Sequence, residues 1–180
     1  MGTTRVLETL LTATPIETAR DTQWVQDAVR LYHEPLTLYA VRLAGSVERG
    51  HDAVQETFVR LCQARREELE GHLKEWLFSV CRSRALDLKR KECRMIAMAE
   101  PEARSKPAEA EPLAAVERNE TRALLAEHLH ALPPNQQEVI RLKFQHGLSY
   151  KEISTVTGLT VSNVGFLMHT GIATLRAKMR

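Results

Sequence analysis

The run RSRALDLKRKECR, Arg82–Arg94, sets six Lys/Arg against Asp87 and Glu92, a local net charge of +4. Cations gathered in this way neutralise phosphates, so the first chemistry the chain offers is contact with a nucleic-acid backbone. A second signal lies further on, in GLSYKEISTVTGLTVSNV, Gly147–Val164. Ser154 stands where two helices would touch, and Gly158 follows four residues later in a turn that needs positive φ. Ile153, Leu159, Val164 and Leu167 fall at the apolar positions of a helix-turn-helix. Ser149 with Glu152 makes a capping box for its first helix, and Thr160 N-caps its second. In such a unit the first turns of the second helix face the major groove. Here those turns carry Ser162 and Asn163, which can hydrogen-bond base edges, and Phe166, which can meet a thymine methyl. His169 and the terminal Arg176, Lys178 and Arg180 can reach phosphates. Few charges stand at the start of this helix, so binding by this unit alone is expected to be weak and salt-sensitive.

Other chemistries are poorly served. The sequence has no HExxH, phosphate loop or nucleophile elbow. His128 and His130 are two residues apart on a helix and so face different ways. No enzyme activity, cofactor or metal is expected. Three cysteines, an odd number without CxxC, suit a reducing compartment. No apolar run approaches the roughly 18 residues of a membrane span. The N-terminus lacks a secretory signal's basic start and continuous apolar core, and position 6 is not the Ser or Thr of a myristoylation site. A cytoplasmic protein without membrane insertion is expected.

The elements that must hold these groups read as helices. The 180 residues are 43% hydrophobic and 27% charged, enough to fold one domain or two small ones. Residues 1–20, Thr-rich and broken by Pro15, are expected to be disordered. From Asp21, Trp24, Ala28, Leu31 and Tyr32 recur at helical spacing, with Leu36, Tyr39 and Leu43 beyond a kink at Pro35. In HDAVQETFVRLCQARREELE, Val54, Phe58 and Leu61 form the buried stripe, and Asp52, Gln55, Glu56 and Arg60 lie opposite. After Gly71, Leu73, Trp76, Leu77, Val80 and Cys81 make a further apolar face that runs into the basic patch. Residues 96–116, with three prolines, many alanines and mixed charges, have little to bury and read as a flexible linker. Extended, about 20 such residues reach at most ~70 Å. Helices resume at 117, with Leu124, Leu125, Leu129 and Leu132 before Pro133–Pro134, then Val139, Ile140 and Phe144. Sustained period-two alternation is absent, so the expected fold is all-α: domains at 21–95 and 117–180 on a tether.

Three stretches in this order, HDAVQETFVRLCQ, KEWLFSVCRSRALDLKR and ALPPNQQEVIRLKFQHGLSYKEISTVTGLTVSNV, resemble bacterial RNA polymerase sigma factors. The similar group is the small, two-domain extracytoplasmic-function type, and the likeness covers residues 25–94 and 121–179. It implies that the chain is a transcription initiation factor, with core RNA polymerase and promoter DNA as partners. In that family domain two would dock Asp52, Gln55, Glu56 and Phe58 on the clamp coiled coil of the polymerase's largest subunit. Arg82, Arg84, Lys89, Arg90 and Lys91 would meet the minus-ten element and the strand separated there. Glu70, Gly71 and His72 lie where the family captures an unstacked base, while Trp76 reads as core. Domain four would read the minus-thirty-five element as duplex through Thr160, Ser162, Asn163, Phe166, His169 and Arg176. Two weak modules on one tether would reinforce each other by effective concentration. The family often uses an anti-sigma protein, which would cover the polymerase-binding faces.

The sequence departs from the family pattern at Ser83, where Asn is usual, and at Gly165, Leu167 and Thr170, where Lys or Arg is usual. Gly165 and Gly171 each cost a helix roughly 1 kcal/mol against Ala, which suggests close approach to DNA or to a neighbouring helix. Two other classes compete: a polymerase-independent helix-turn-helix regulator, which leaves the QETF helix unexplained, and a protein-binding scaffold in which Phe166 and Leu167 face a partner.

Overall fold

The computed structural model describes residues 15–98 and 120–179, and all the elements within them are helices. The first domain is built from α1 (Pro15–Ala44), α2 (Val47–Gln63), the single turn α3 (Arg66–Leu69) and α4 (Leu73–Met98). The second holds α5 (Glu120–His130), α6 (Pro134–Phe144), α7 (Tyr150–Thr157) and α8 (Val161–Lys178). Helix α1 begins at Pro15 rather than Asp21, so residues 15–20, expected to be disordered, are helical. Proline is suited to a first turn, where its missing N–H has no intrahelical partner. Residues 1–14, and the expected linker from 99 onward, lie outside the described residues.

Helices α1, α2 and α4 pack mutually. Leu36, Tyr39, Ala53, Val54, Leu61, Leu77 and Cys81 fill the space between them. Phe78 is the largest side chain fully buried there. It was absent from the expected stripe, although burying such a ring contributes about 1.5–3 kcal/mol. Leu31, expected in the core, is 64% exposed on the outer face of α1. Trp76 is half-buried against the core, in keeping with its reading as a packing residue. Cys81 sits fully buried, and that burial pushes its thiol up to about 12.

At the crossing of α1 and α2, Gly50 allows contact without a side chain. A Cβ there would lie 2.7 Å from Val41 Cα and 2.8 Å from Val41 N. Only glycine permits that approach at this crossing.

In the second domain α8 packs on α5, α6 and α7. Leu129, Leu132, Val139, Ile140, Leu142, Leu148, Ile153, Val164 and Met168 form its core. Leu124, Leu125 and Phe144, expected inside, are exposed, Phe144 by 67%. Helical spacing alone assigned them inward, but α5 is short and α6 ends at Phe144, so among the described residues no helix covers those positions. Gly171 meets the expectation of a close approach. A Cβ there would lie 2.7 Å from Ile140 Cδ1, so it lets α8 settle on α6. At Gly165 the nearest atom would be Tyr150 Cε2 at 3.8 Å, an ordinary contact.

Candidate nucleic-acid and partner interfaces

The helix-turn-helix forms from local chemistry. Ser149 Oγ accepts from Glu152 N at 3.2 Å, and the Glu152 carboxylate accepts from Ser149 N at 2.6 Å. These bonds hold the Glu152 carboxyl below its ordinary pKa. Gly158 ends α7 at φ +74°, in the left-handed region. Ser154 Oγ donates to Leu159 O at 2.5 Å, bracing the turn from within. Thr160 Oγ1 then accepts from Asn163 N at 3.2 Å and starts α8. The roles of Ser149, Glu152, Gly158 and Thr160 were legible in residue type and spacing, whereas Ser154 was expected only as a small residue at the contact of the two helices.

On α8, Val164, Met168 and Leu175 turn inward. Thr160, Ser162, Asn163, Phe166, His169 and Arg176 are all exposed, Phe166 by 64%. An exposed ring amid small polar groups, with a cation at the C-terminal end, can touch base edges, a methyl and a phosphate. Gln136 Nε2 donates to Thr170 Oγ1 at 3.3 Å, fixing α8 to α6.

The basic set on α4 does not form one surface. At about 100° per residue, Arg82 and Lys89 share a face, Arg90 lies to its side, and Arg84 and Lys91 point away. Lys89, Arg90 and Lys91 are exposed. Lys89 and Arg90 line a shallow groove of about 690 Å³ with Leu86, Asp87, Cys93 and Arg94. Arg90 Nη1 also donates to Asp87 Oδ1 at 3.2 Å. The two remaining arginines are engaged inside the protein. Arg84 Nε forms an ion pair with Glu56 at 2.8 Å. Arg82 Nε and Nη2 donate to Glu138 at 2.8 and 3.2 Å. Burial opposes the charge on Arg82, but Glu138 more than offsets it and raises the pKa.

The expected polymerase-facing set divides as well. Gln55 and Phe58 line a groove of about 440 Å³ together with Val25, Val29, His33, His51, Val54, Val59 and Cys62. The Phe58 ring stacks on His33 with centroids 6.3 Å apart. Asp52 is exposed near the same end of α2. Glu56 turns instead toward α4 and also accepts from Arg60 Nη2 at 3.0 Å. Glu70, Gly71 and His72 form an exposed turn, with Gly71 at φ +82°.

Sequence reasoning missed a polar cluster between the domains. Glu138 Oε1 accepts from Tyr39 Oη at 2.7 Å as well as from Arg82. Arg42 Nη1 donates to Gln145 Oε1 at 3.0 Å. His146 sits among the rings of Phe78 and Tyr39, with centroids 4.9 and 5.9 Å away. Burial, then the neighbouring Arg42, Lys74 and Arg141, push its imidazole down to about 4. Burial and Arg42 likewise lower Arg141 to about 10. No spacing rule links Tyr39 or Arg82 to a carboxylate so far along the chain. Only their co-location in space reveals the cluster.

Among the described residues, no group of His, Cys, Asp and Glu could hold a metal ion. No helix among them is long and apolar enough to cross a membrane.

Comparison with known proteins agrees with this division into two domains. The family model for Sigma-70 region 2 matches residues 28–95, and that for Sigma-70 region 4 matches residues 122–175. The chain is 28% identical over 152 residues to the ECF RNA polymerase sigma factor SigE of Mycolicibacterium smegmatis. That match covers 83% of this chain and 59% of SigE. It is 27% identical over 146 residues to the ECF RNA polymerase sigma factor SigL of Mycobacterium tuberculosis, covering 79% of this chain and 81% of SigL. A solved structure of the sigma factor RpoE from Bartonella quintana, in complex with the anti-sigma factor NepR, superposes with a TM-score of 0.69 at 20% identity. It covers 86% of this chain and 95% of RpoE, and at that identity it speaks for the fold. With regions 2 and 4 matched in order, the chain belongs to the sigma-70 family of RNA polymerase sigma factors, in its extracytoplasmic-function group.

Proposed function

We propose that this chain is a transcription initiation factor, acting in the cytoplasm and not as an enzyme. It binds core RNA polymerase, directs it to particular promoters and helps to open them at the minus-ten element. The observation that carries this reading is one chain with two separate DNA-competent surfaces. They are the basic groove of α4 and the exposed Ser162–Asn163–Phe166–His169 face of α8. A helix-turn-helix regulator would need only the second.

The groove of Gln55 and Phe58 on α2 is the polymerase-docking surface, with Asp52 at its edge. Its half-buried aromatic ring and amide suit a helical partner, in which an apolar anchor supplies affinity and a polar rim supplies register. Lys89 and Arg90, which line the α4 groove, meet minus-ten phosphates directly, and Lys91 on the opposite side of the helix adds only to the local positive field. The face of α8 reads the minus-thirty-five duplex with little charge, so its affinity depends on the polymerase tethering it there. An anti-sigma protein is a second partner for the docking surfaces.

The test is run-off transcription with core enzyme on sheared host DNA, with and without the protein. Discrete new transcripts that vanish in the Gln55→Ala/Phe58→Ala double variant are expected. No transcripts, together with no binding of core enzyme, would sink the reading and leave a polymerase-independent regulator.

A further inference from the structure

Residues 1–14, ahead of α1, lie outside the described part of the chain. Within them RVLETLL, Arg5–Leu11, sets Val6, Leu7, Leu10 and Leu11 at helical spacing. At about 100° per residue those four fall on one side of a helix, and Arg5, Glu8, Thr9 and Thr12 fall on the other. A stripe so short holds a helix only when it packs on an apolar partner. The first domain offers one beside the same helix. Val25 and Val29 of α1, with Val54, Phe58, Val59 and Cys62 of α2, line the groove of about 440 Å³. Val59 is 49% exposed in it, and Cys62 is exposed as well.

We propose that in the free protein residues 6–11 seat their apolar stripe in this groove, and that core polymerase displaces them when it docks. The reach fits. Pro15 and Val25 are ten helical residues apart, about 15 Å. Proline disfavours helix at the residue before it, so the chain leaves the α1 axis at Thr14. Extended chain from residue 15 back to residue 11 spans ~14 Å, which brings Leu11 level with Val25. Four residues of helix then bring Leu7 level with Val29, which is four residues along α1. Cys62 stands at that level too. His33 stacks on Phe58, and Val29 and Cys62 each lie one turn from that pair on antiparallel helices. The seat rests on the stripe and the groove, and the competition rests on reading the groove as the polymerase-docking surface. Apparent affinity for core enzyme then falls by the fraction of chain whose groove is open.

The experiment uses the full chain, with Cys62 as reporter and Cys93 of α4, also exposed, as internal reference. Limiting N-ethylmaleimide labels both, and peptide mass spectrometry gives the two rates. Leu7→Glu/Leu10→Glu removes the stripe, and Thr3→Glu/Thr4→Glu makes the same change of charge outside it. The expected result is labelling of Cys62, relative to Cys93, at least fivefold faster in the first variant than in the second. Leu7→Cys should form a disulfide with Cys62 under oxidised glutathione, and Thr3→Cys should not, a route that does not depend on the glutamates being tolerated. Core enzyme should bind Leu7→Glu/Leu10→Glu at least threefold more tightly than wild type, as a groove open at most about one-third of the time requires. Equal labelling of Cys62 in the two glutamate variants, or no disulfide from Leu7→Cys, would overturn the seat. Protection of Cys62 that grows with protein concentration would overturn it in favour of a second copy in the groove. Faster labelling without tighter core binding would overturn the competition. If core enzyme binds none of these chains while Cys62 still responds to the stripe, the seat stands and the initiation-factor reading falls.

Discussion

Glu56 of α2 and Arg84 of α4, which the family resemblance gives to different partners, form an ion pair with each other: their carboxylate and guanidinium lie 2.8 Å apart. The pair ties α2 to α4 inside one domain. Each group is about one-third exposed, so the pair's contribution is modest, within the ~0–1 kcal/mol of such bridges. Glu56→Gln should therefore lower first-domain stability by less than about 1 kcal/mol and leave core-enzyme affinity within a few-fold. Urea unfolding and native-gel titration with core enzyme measure the two. A tenfold loss of affinity from Glu56→Gln alone would return Glu56 to the docking surface.

Gly50→Ala should damage the first domain. The added methyl would press on the backbone of Val41, which cannot rotate away, so α1 and α2 must separate. Overpacking of this kind typically costs about 1–3 kcal/mol, more than the ~1 kcal/mol that Ala gains in helix propensity. Thermal unfolding followed by circular dichroism should show a clearly lowered midpoint. A midpoint equal to or above wild type would show that the crossing relaxes.

Ser149→Ala removes one arm of the capping box that begins α7. Loss of such a cap costs about 0.5–2 kcal/mol. The expected outcome is a lower denaturant midpoint for the second domain, with Ser149→Asp recovering most of the loss. If Ser149→Ala unfolds at the wild-type midpoint, α7 is held by its packing and not by its cap.

His146 gives the chain a pH dependence with a definite sign. Its pKa in the folded chain, about 4, lies below its ordinary 6.5, so between those values the unfolded chain binds the extra proton. Stability then rises with pH across that window and falls as the medium is acidified from 6.5 toward 4, by at most ~1.4 kcal/mol per pH unit. Burial is the main cause, followed by Arg42, Lys74 and Arg141 around the ring. His146→Phe, which keeps a ring beside Phe78 and Tyr39, should flatten the slope of unfolding free energy against pH in this range. An unchanged slope would mean that carboxylates set it.

What the sequence determined by itself was everything that depends on neighbours a few residues away. Ser149 with Glu152, Gly158 at positive φ and Thr160 with Asn163 are all local bonds, and each stands where its spacing put it. The helical class and the exposed polar face of α8 followed from the same short-range rules, because helical period and capping act within one or two turns. Burial was legible only in part. Leu31 and Phe144 have the right spacing for a core, yet among the described residues no helix lies over them, while Phe78 does not stand out by spacing and fills the first core. Tertiary structure alone decided what the charges do. Six cations in thirteen residues read as one patch, but a helix distributes them around its axis. Arg84 is drawn to Glu56 within its domain, and Arg82 to Glu138 from another. An ion pair forms between whichever opposite charges folding brings within a few ångströms, and sequence distance carries no information about that.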